Sequence, residues 1–275
     1  MTHRSGLQLA GAVLLALVMQ GAGNAAGDET HSSDHGPKIA PQSWSFAPPF
    51  GTFDNAQLQR GFQVYRDVCA NCHSMSLLSH RNLGQPGGPE FSVKAVEVLA
   101  SQLQITDGPD DKGQMFQRPG RPSDRFRSPF PNDQAARAAN NGALPPDLSV
   151  MAKARPGGAD YIYALLTGYR DPPPGFELAP GMHYNVAFPG HQFAMPQLLR
   201  DGSVQYTDGT EKTLDNYARD VAAFLMWAAE PKLEERHKLG LRVMIFLAVL
   251  AVIMFLAKRA VWAPLHRQHK PEHQA

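Results

Sequence analysis

Cysteine is almost missing from this 275-residue chain: Cys69 and Cys72 are its two thiols. That scarcity excludes an all-cysteine zinc site, because structural zinc takes four protein ligands. Net charge is nearly missing as well. Lys and Arg number 26 against 25 Asp and Glu, a formal charge of +1, which excludes the basic surface a general nucleic-acid binder needs. The chain has no internal repeat and no phosphate-binding glycine loop. What is there suits a folded protein, with 43% apolar and 19% charged residues. Glycine (24) and proline (23) are plentiful, so long loops should be common, though the level is below that of a disordered chain. A body so rich in loops needs more than regular packing to hold it, and a bound cofactor is one candidate. The length admits one large or two small domains.

Long hydrophobic runs occur at the two ends. Residues 1–26 open with Arg4, run apolar from Leu7 to Val18 and close on the small residues GAGNAA. This reads as a secretory signal peptide cleaved after Ala25 or Ala26, the apolar run of about 12 residues being too short for a bilayer. Near the other end stands LGLRVMIFLAVLAVIMFLAKRAVW, uncharged from Val243 to Ala257. As a helix that core is roughly 22 Å long at ~1.5 Å per residue, short of the ~30 Å of hydrocarbon. Adding Leu239–Leu241, letting Arg242, Lys258 and Arg259 snorkel and placing Trp262 at the interface brings it to spanning length. The spacing therefore predicts a transmembrane helix over 239–262, an exported body over 27–230 and a cytoplasmic tail over 263–275. Basic residues flank the helix on both sides, so the signal peptide, rather than the charge count, sets this orientation.

Both cysteines lie in the stretch CANCH, residues 69 to 73. A C-x-x-C pair suits a redox dithiol, half a zinc site or haem attachment. Zinc would require distant histidines to join His73. A thioredoxin-like motif belongs between a strand and a helix, and nothing upstream reads as a strand. The preceding segment is helical instead. Asp54 is placed to cap, with Gln57 in capping-box spacing, and Leu58, Phe62, Tyr65 and Cys69 fall on one helical face. Cys69 then sits by the last turn, with Cys72 and His73 beyond it. C-x-x-C-H is the signature of c-type haem, each thiol adding to a vinyl group and the next imidazole reaching the iron. Haem attachment is the reading that suits an exported protein with no other cysteine.

The sixth iron position decides between chemistries. A methionine there makes an electron carrier of raised potential, and an open position allows gas binding or peroxide chemistry. Met1, Met19, Met244 and Met254 fall in the terminal hydrophobic segments, and Met75 is too near His73. Met226 lies on a predicted helix, Leu214–Ala229. Met115, Met151, Met182 and Met195 remain. Met195 precedes Pro196, which biases it to an extended loop conformation. It also stands just ahead of the closing helix, so it ranks before Met182.

Several long stretches closely resemble one family. RGFQVYRDVCANCHSM (60–75), DGPDDKGQMFQRPGRPSDRF (107–126), PNDQAARAANNGALPPDLSVMAKARPGGADYIYALLTGY (131–169), YNVAFPGHQFAMPQLL (184–199) and DVAAFLMWAAEP (220–231) are similar to cytochrome c1, the haem subunit of quinol–cytochrome c oxidoreductase (the cytochrome bc1 complex). The resemblance runs from about residue 42 through the membrane helix. It implies one covalent haem c on Cys69 and Cys72, with His73 and Met195 as axial ligands. By the same resemblance Pro145 and Pro146 lie at the haem edge, and Arg155 meets a propionate with Asn140 and Tyr161 nearby. A propionate kept from water needs a charge-assisted partner, which an arginine supplies; Arg137 is the alternative. The sequence PQLL after Met195 departs from the proline-richer pattern of many members, leaving that loop's geometry open.

The expectation is thus a mostly α, loop-rich haem-c domain of the class I cytochrome c-like kind with one C-terminal transmembrane helix. The resemblance implies a bacterial inner-membrane, single-pass subunit with its haem domain in the periplasm. Its implied partners are cytochrome b, the Rieske iron–sulfur subunit, a soluble or membrane-anchored cytochrome c and the bilayer, with no nucleic acid. Electrons pass through it, and no substrate bond is made or broken in this chain. Two rival readings are a mono-haem cytochrome serving another reductase and a haem sensor or peroxidase. Among the remaining clusters, His31 and His35 read as part of a mobile N-terminus and His266, His269 and His273 as a solvated tail. Asp107, Asp110 and Asp111 form either a solvated face or a docking site for a basic cytochrome. Residues 166–176 read as a turn-rich connector with no chemistry.

Overall fold

The computed structural model describes residues 37–268. The expected signal segment, His31, His35 and the last seven residues lie outside the described residues.

Helix α1 (Asn55–Asp67) starts where the Asp54 carboxylate accepts the Gln57 N–H at 3.1 Å. That bond satisfies one of the donors left over at any helix start. Its buried face carries Leu58, Phe62 and Tyr65, as the spacing predicts. A one-turn 3₁₀ helix, Cys69–Asn71, follows directly. Next come α2 (Val93–Ser101) and an antiparallel hairpin of β1 (Gln104–Asp107) and β2 (Phe116–Pro119). Three short helices follow: α3 (Asp133–Ala139), α4 (Met151–Ala154) and α5 (Gly158–Thr167). A two-residue ladder joins β3 (His183–Tyr184) to β4 (Gln192–Phe193) before α6 (Leu214–Ala229), which Thr213 caps. The described residues are mostly helical and rich in loops, the expected class.

The body is built on the crossing of α1 with α6, against which α4 and α5 also pack. Gly61 permits the close approach: a Cβ there would meet the Asp220 carbonyl oxygen at 2.1 Å and Phe224 Cβ at 2.7 Å. Around that point Phe62 and Tyr65 both place their rings 5.8 Å from Phe224. Full burial of each such side chain contributes about 1.5–3 kcal/mol. The crossing is also polar at one spot. Buried Asp220 accepts from Arg60 Nε and from Tyr206 Oη, both at 2.8 Å. Removing Arg60 would leave the buried Asp220 carboxylate without its cationic partner, a cost that disfavours other registers of α1 on α6.

Helix α7 (Leu233–Gln268) contains the expected 239–262 segment. Its stretch Leu233–Pro264 is long and apolar enough to cross a membrane. Every side chain from Val243 to Ala257 is exposed, and a helix apolar all round and exposed all round belongs in lipid. The first turn is different. Leu233 is buried, and the Glu234 carboxylate accepts the Phe53 N–H at 3.0 Å. The helix therefore begins as part of the body.

Candidate functional site

A cavity of about 370 Å³ opens in the body beside the end of α1, within the range of about 300–1,000 Å³ typical of small-molecule sites. The eight residues singled out from the sequence all line it: Cys69, Cys72, His73, Asn140, Pro146, Arg155, Tyr161 and Met195. They come from four separate parts of the chain.

The first wall is the end of α1. His73 N–H donates to the Cys69 carbonyl at 2.9 Å, so the motif folds on itself and presents both thiols and the imidazole to one space. Burial pushes the Cys69 thiol up to about 12, with Cys72 adding to the rise. A reactive dithiol needs a lowered thiol value, so this environment argues against redox exchange. The imidazole is oriented by a backbone contact, His73 Nδ1 donating to the Pro146 carbonyl at 2.8 Å. This tautomer leaves the Nε2 lone pair free to bind a metal. Burial lowers the His73 value, against the opposing influence of the Pro146 carbonyl and Asp147. That direction favours the neutral ring, the form that binds a metal.

The Pro146 segment is bracketed against the histidine by its neighbours. Leu148 N–H donates to the Ser74 carbonyl at 2.8 Å, and Ser74 Oγ donates to Asp147 at 2.8 Å. Asp147 also accepts from Ser76 N at 2.9 Å and Ser149 N at 2.8 Å. Burial opposes its charge, but the hydrogen bonds from Ser149 and Ser76 outweigh that and hold its carboxyl well below the ordinary range.

Arg155, Tyr161 and Asn140 belong to the polar part of the lining, together with Asn141, Gln197 and Tyr169. Arg155 is exposed and spends one N–H on the Ala154 carbonyl. Asn140 closes α3 by donating to the Ala136 carbonyl at 2.7 Å. Arg137 does not line the cavity; it donates to the Gly142 carbonyl at 3.0 Å. The methionines separate in the same way. Met115 and Met182 are exposed and outside the cavity, and Met226 sits against the core. Met151 does line it, on the chain that continues from Leu148 and so from the wall beside His73. Met195 enters on an independent loop after β4.

Sequence reasoning missed Tyr169. It lies in the connector expected to carry no chemistry, yet it lines the cavity and its hydroxyl donates to the Met195 carbonyl at 2.8 Å. Burial raises its phenol well above the ordinary value, so it remains a donor. The sequence signal available was a tyrosine directly after the helix-closing Gly168. Phe188, Phe193, Leu144 and Leu198 complete the apolar wall. The acidic loop is largely committed elsewhere: Asp107 pairs with Arg118, and Asp110 accepts from Lys112 and Gln114 of its own turn.

This donor set fits haem c. Two thiols and an imidazole share one wall, a thioether sulfur comes from another, the lining between them is mostly apolar, and an arginine and a tyrosine stand by for acidic groups. Comparison with known proteins agrees. The profile of the Cytochrome C1 family matches residues 44–265. Cytochrome c1 of Rhodospirillum rubrum is 45% identical over 90% of this chain and 96% of its own length. The mitochondrial cytochrome c1-2 haem protein of Solanum tuberosum is 45% identical over 85% of this chain and 88% of its own. A Bradyrhizobium diazoefficiens protein named cytochrome b/c1 is 49% identical over 81% of this chain, which spans 35% of that longer protein.

Proposed function

Since this chain belongs to the cytochrome c1 family, the haem subunit of the cytochrome bc1 complex, we propose that it passes electrons from the Rieske iron–sulfur protein to cytochrome c. Haem c, when bound, supplies a one-electron iron couple. The chain's own residues hold, tune and shield it. Cys69 and Cys72 would attach the group through thioethers. His73 Nε2 and Met195 Sδ would ligate its iron, the imidazole oriented by Pro146 and the thioether favouring the ferrous state, which would keep the potential high. Arg155 would hold a propionate, with Tyr161 and Asn140 beside it. The apolar lining would keep water from the bound group.

Helix α7 anchors this body to the bilayer and packs against partner subunits, cytochrome b foremost. The haem body lies in the periplasm of a bacterial inner membrane, behind a cleaved leader, with the C-terminus in the cytoplasm. Quinol oxidation and proton translocation are properties of the assembled respiratory or photosynthetic complex.

One observation carries the reading: Cys69, Cys72, His73 and Met195 line the same cavity. Met195→Leu tests it, because the change removes the sulfur and keeps a similar apolar volume. Covalent haem should be retained, the ferrous form should bind carbon monoxide, and the potential should fall. Quinol-driven cytochrome c reduction should collapse in an assembled complex. Met182→Leu should do none of this. The opposite pattern would overturn the ligand assignment.

A further inference from the structure

The loop that carries Met195 has little main-chain bonding of its own. β4 ends at Phe193, and Pro196 has no N–H to give. Among the described residues no backbone–backbone hydrogen bond reaches residues 194–199. What does reach them is the Tyr169 hydroxyl, 2.8 Å from the Met195 carbonyl oxygen and 3.4 Å from that of Pro196.

Tyr169 is itself firmly placed. It follows Gly168, the C-cap of α5, where a Cβ would meet the Ala164 carbonyl oxygen at 2.5 Å and Asn185 Oδ1 at 2.8 Å. Asn185 is fully buried and donates to the Leu165 carbonyl at 2.8 Å. Its backbone forms a bridge with Tyr169, and Val186 N–H donates to the Gly168 carbonyl at 2.9 Å. The end of α5 and the start of the 184–193 segment are thus one tied unit, and the Tyr169 ring extends from it along the cavity wall. We propose that Tyr169 is the positioning residue for the axial methionine, its hydroxyl clamping the Met195–Pro196 main chain so that the sulfur stays at the iron. This rests on the reading of Met195 as a ligand. The ring itself also packs near Phe193, centroids 6.3 Å apart, so the hydroxyl's part must be separated from the ring's.

The clamp is made when the loop is closed and lost when the loop swings away. Removing it shifts that balance toward the open loop, and any small ligand competing for the iron then binds more tightly. The test uses the full-length holoprotein in detergent and titrates ferric haem with imidazole. Tyr169→Phe deletes the hydroxyl and keeps the ring. It should raise the apparent imidazole affinity about tenfold, equivalent to ~1.4 kcal/mol, weaken the sulfur-to-iron charge-transfer band and leave covalent haem unchanged. Thr167→Val removes a comparable local hydrogen bond, to the Tyr163 carbonyl at 2.9 Å, without touching the loop, and should leave imidazole affinity where it was. Met195→Leu marks the fully open limit. If Met195→Leu binds imidazole far more tightly than wild type while Tyr169→Phe matches wild type, the clamp is wrong and the ligand assignment survives. If Thr167→Val shifts affinity as much as Tyr169→Phe, the effect is general loosening and the clamp is again wrong. If Met195→Leu itself matches wild type, the ligand assignment fails and the clamp fails with it.

Discussion

The Nδ1 atom of His73 donates to the carbonyl oxygen of Pro146 across 2.8 Å, joining two residues 73 positions apart. A prolyl carbonyl suits this task because the ring restricts the backbone that presents it. The carbonyl is aimed by the next residue, Asp147, through Ser74, Ser76 and Ser149. Asp147→Ala should therefore cost about 1–3 kcal/mol, the usual cost of leaving hydrogen-bond donors without an acceptor. Denaturant unfolding of the holoprotein measures it. Asp147→Asn, which retains one acceptor oxygen, should cost less.

The crossing of α1 and α6 offers a second test. Gly61→Ala would place a methyl group 2.1 Å from the Asp220 carbonyl oxygen, which backbone atoms cannot easily vacate. Destabilisation at the upper end of the ~1–3 kcal/mol seen for overpacked cores is expected. A thermal melt reads it. Ala at Gly113, where the added carbon meets nothing within 4 Å, should lose stability only through its φ of 78°.

Acid stability should report on Asp124. Its carboxylate receives both Nη atoms of Arg118, at 2.6 and 2.9 Å, and the Arg121 N–H at 2.7 Å. The Arg118 hydrogen bonds hold it down to about 2, below the ~3.9 of an unfolded aspartate. A depressed carboxyl contributes its stability in full above the unfolded value and loses it as pH falls through the folded one. Between about pH 4 and pH 2 the wild type should therefore lose stability that Asp124→Asn never had, and the two melting curves should converge there.

Much of this body could be read from the sequence, for identifiable reasons. Helix α6 was predicted as Leu214–Ala229 and has those bounds, because apolar spacing and a threonine cap act locally. The cap of α1 by Asp54 was equally local. The site residues converge on one cavity because the motif and the family resemblance pointed at them, whereas spacing alone left four methionines open. Tyr169 was missed for a physical reason: its hydrogen bond spans 26 positions, and nothing in a turn-rich connector signals a partner that distant. The acidic residues were left open between a solvated face and a docking site; Asp110 and Asp111 are exposed, and Asp107 and Asp110 also tie their own hairpin together.

The junction with α7 gives a fourth prediction. Leu233 is 4% exposed, and Glu234 binds the backbone of Phe53, so these residues stabilise the body rather than the membrane contact. A chain stopped after Glu230 should be less stable than one stopped after Lys238 by about 2–3 kcal/mol, the burial of a leucine plus part of a hydrogen bond. Both should retain haem, and comparison of their denaturant midpoints separates them.

Covalent attachment of haem through the CANCH motif is the claim on which the rest depends, and acid–acetone extraction measures it directly. The wild-type chain should keep its colour through extraction, since thioether bonds survive where axial coordination does not. The Cys69→Ser/Cys72→Ser variant should keep none and should fold poorly, because a ligand bound only by the native state stabilises it by mass action. Haem that stays with the double variant through extraction, or leaves the wild type, would contradict the assignment of this site.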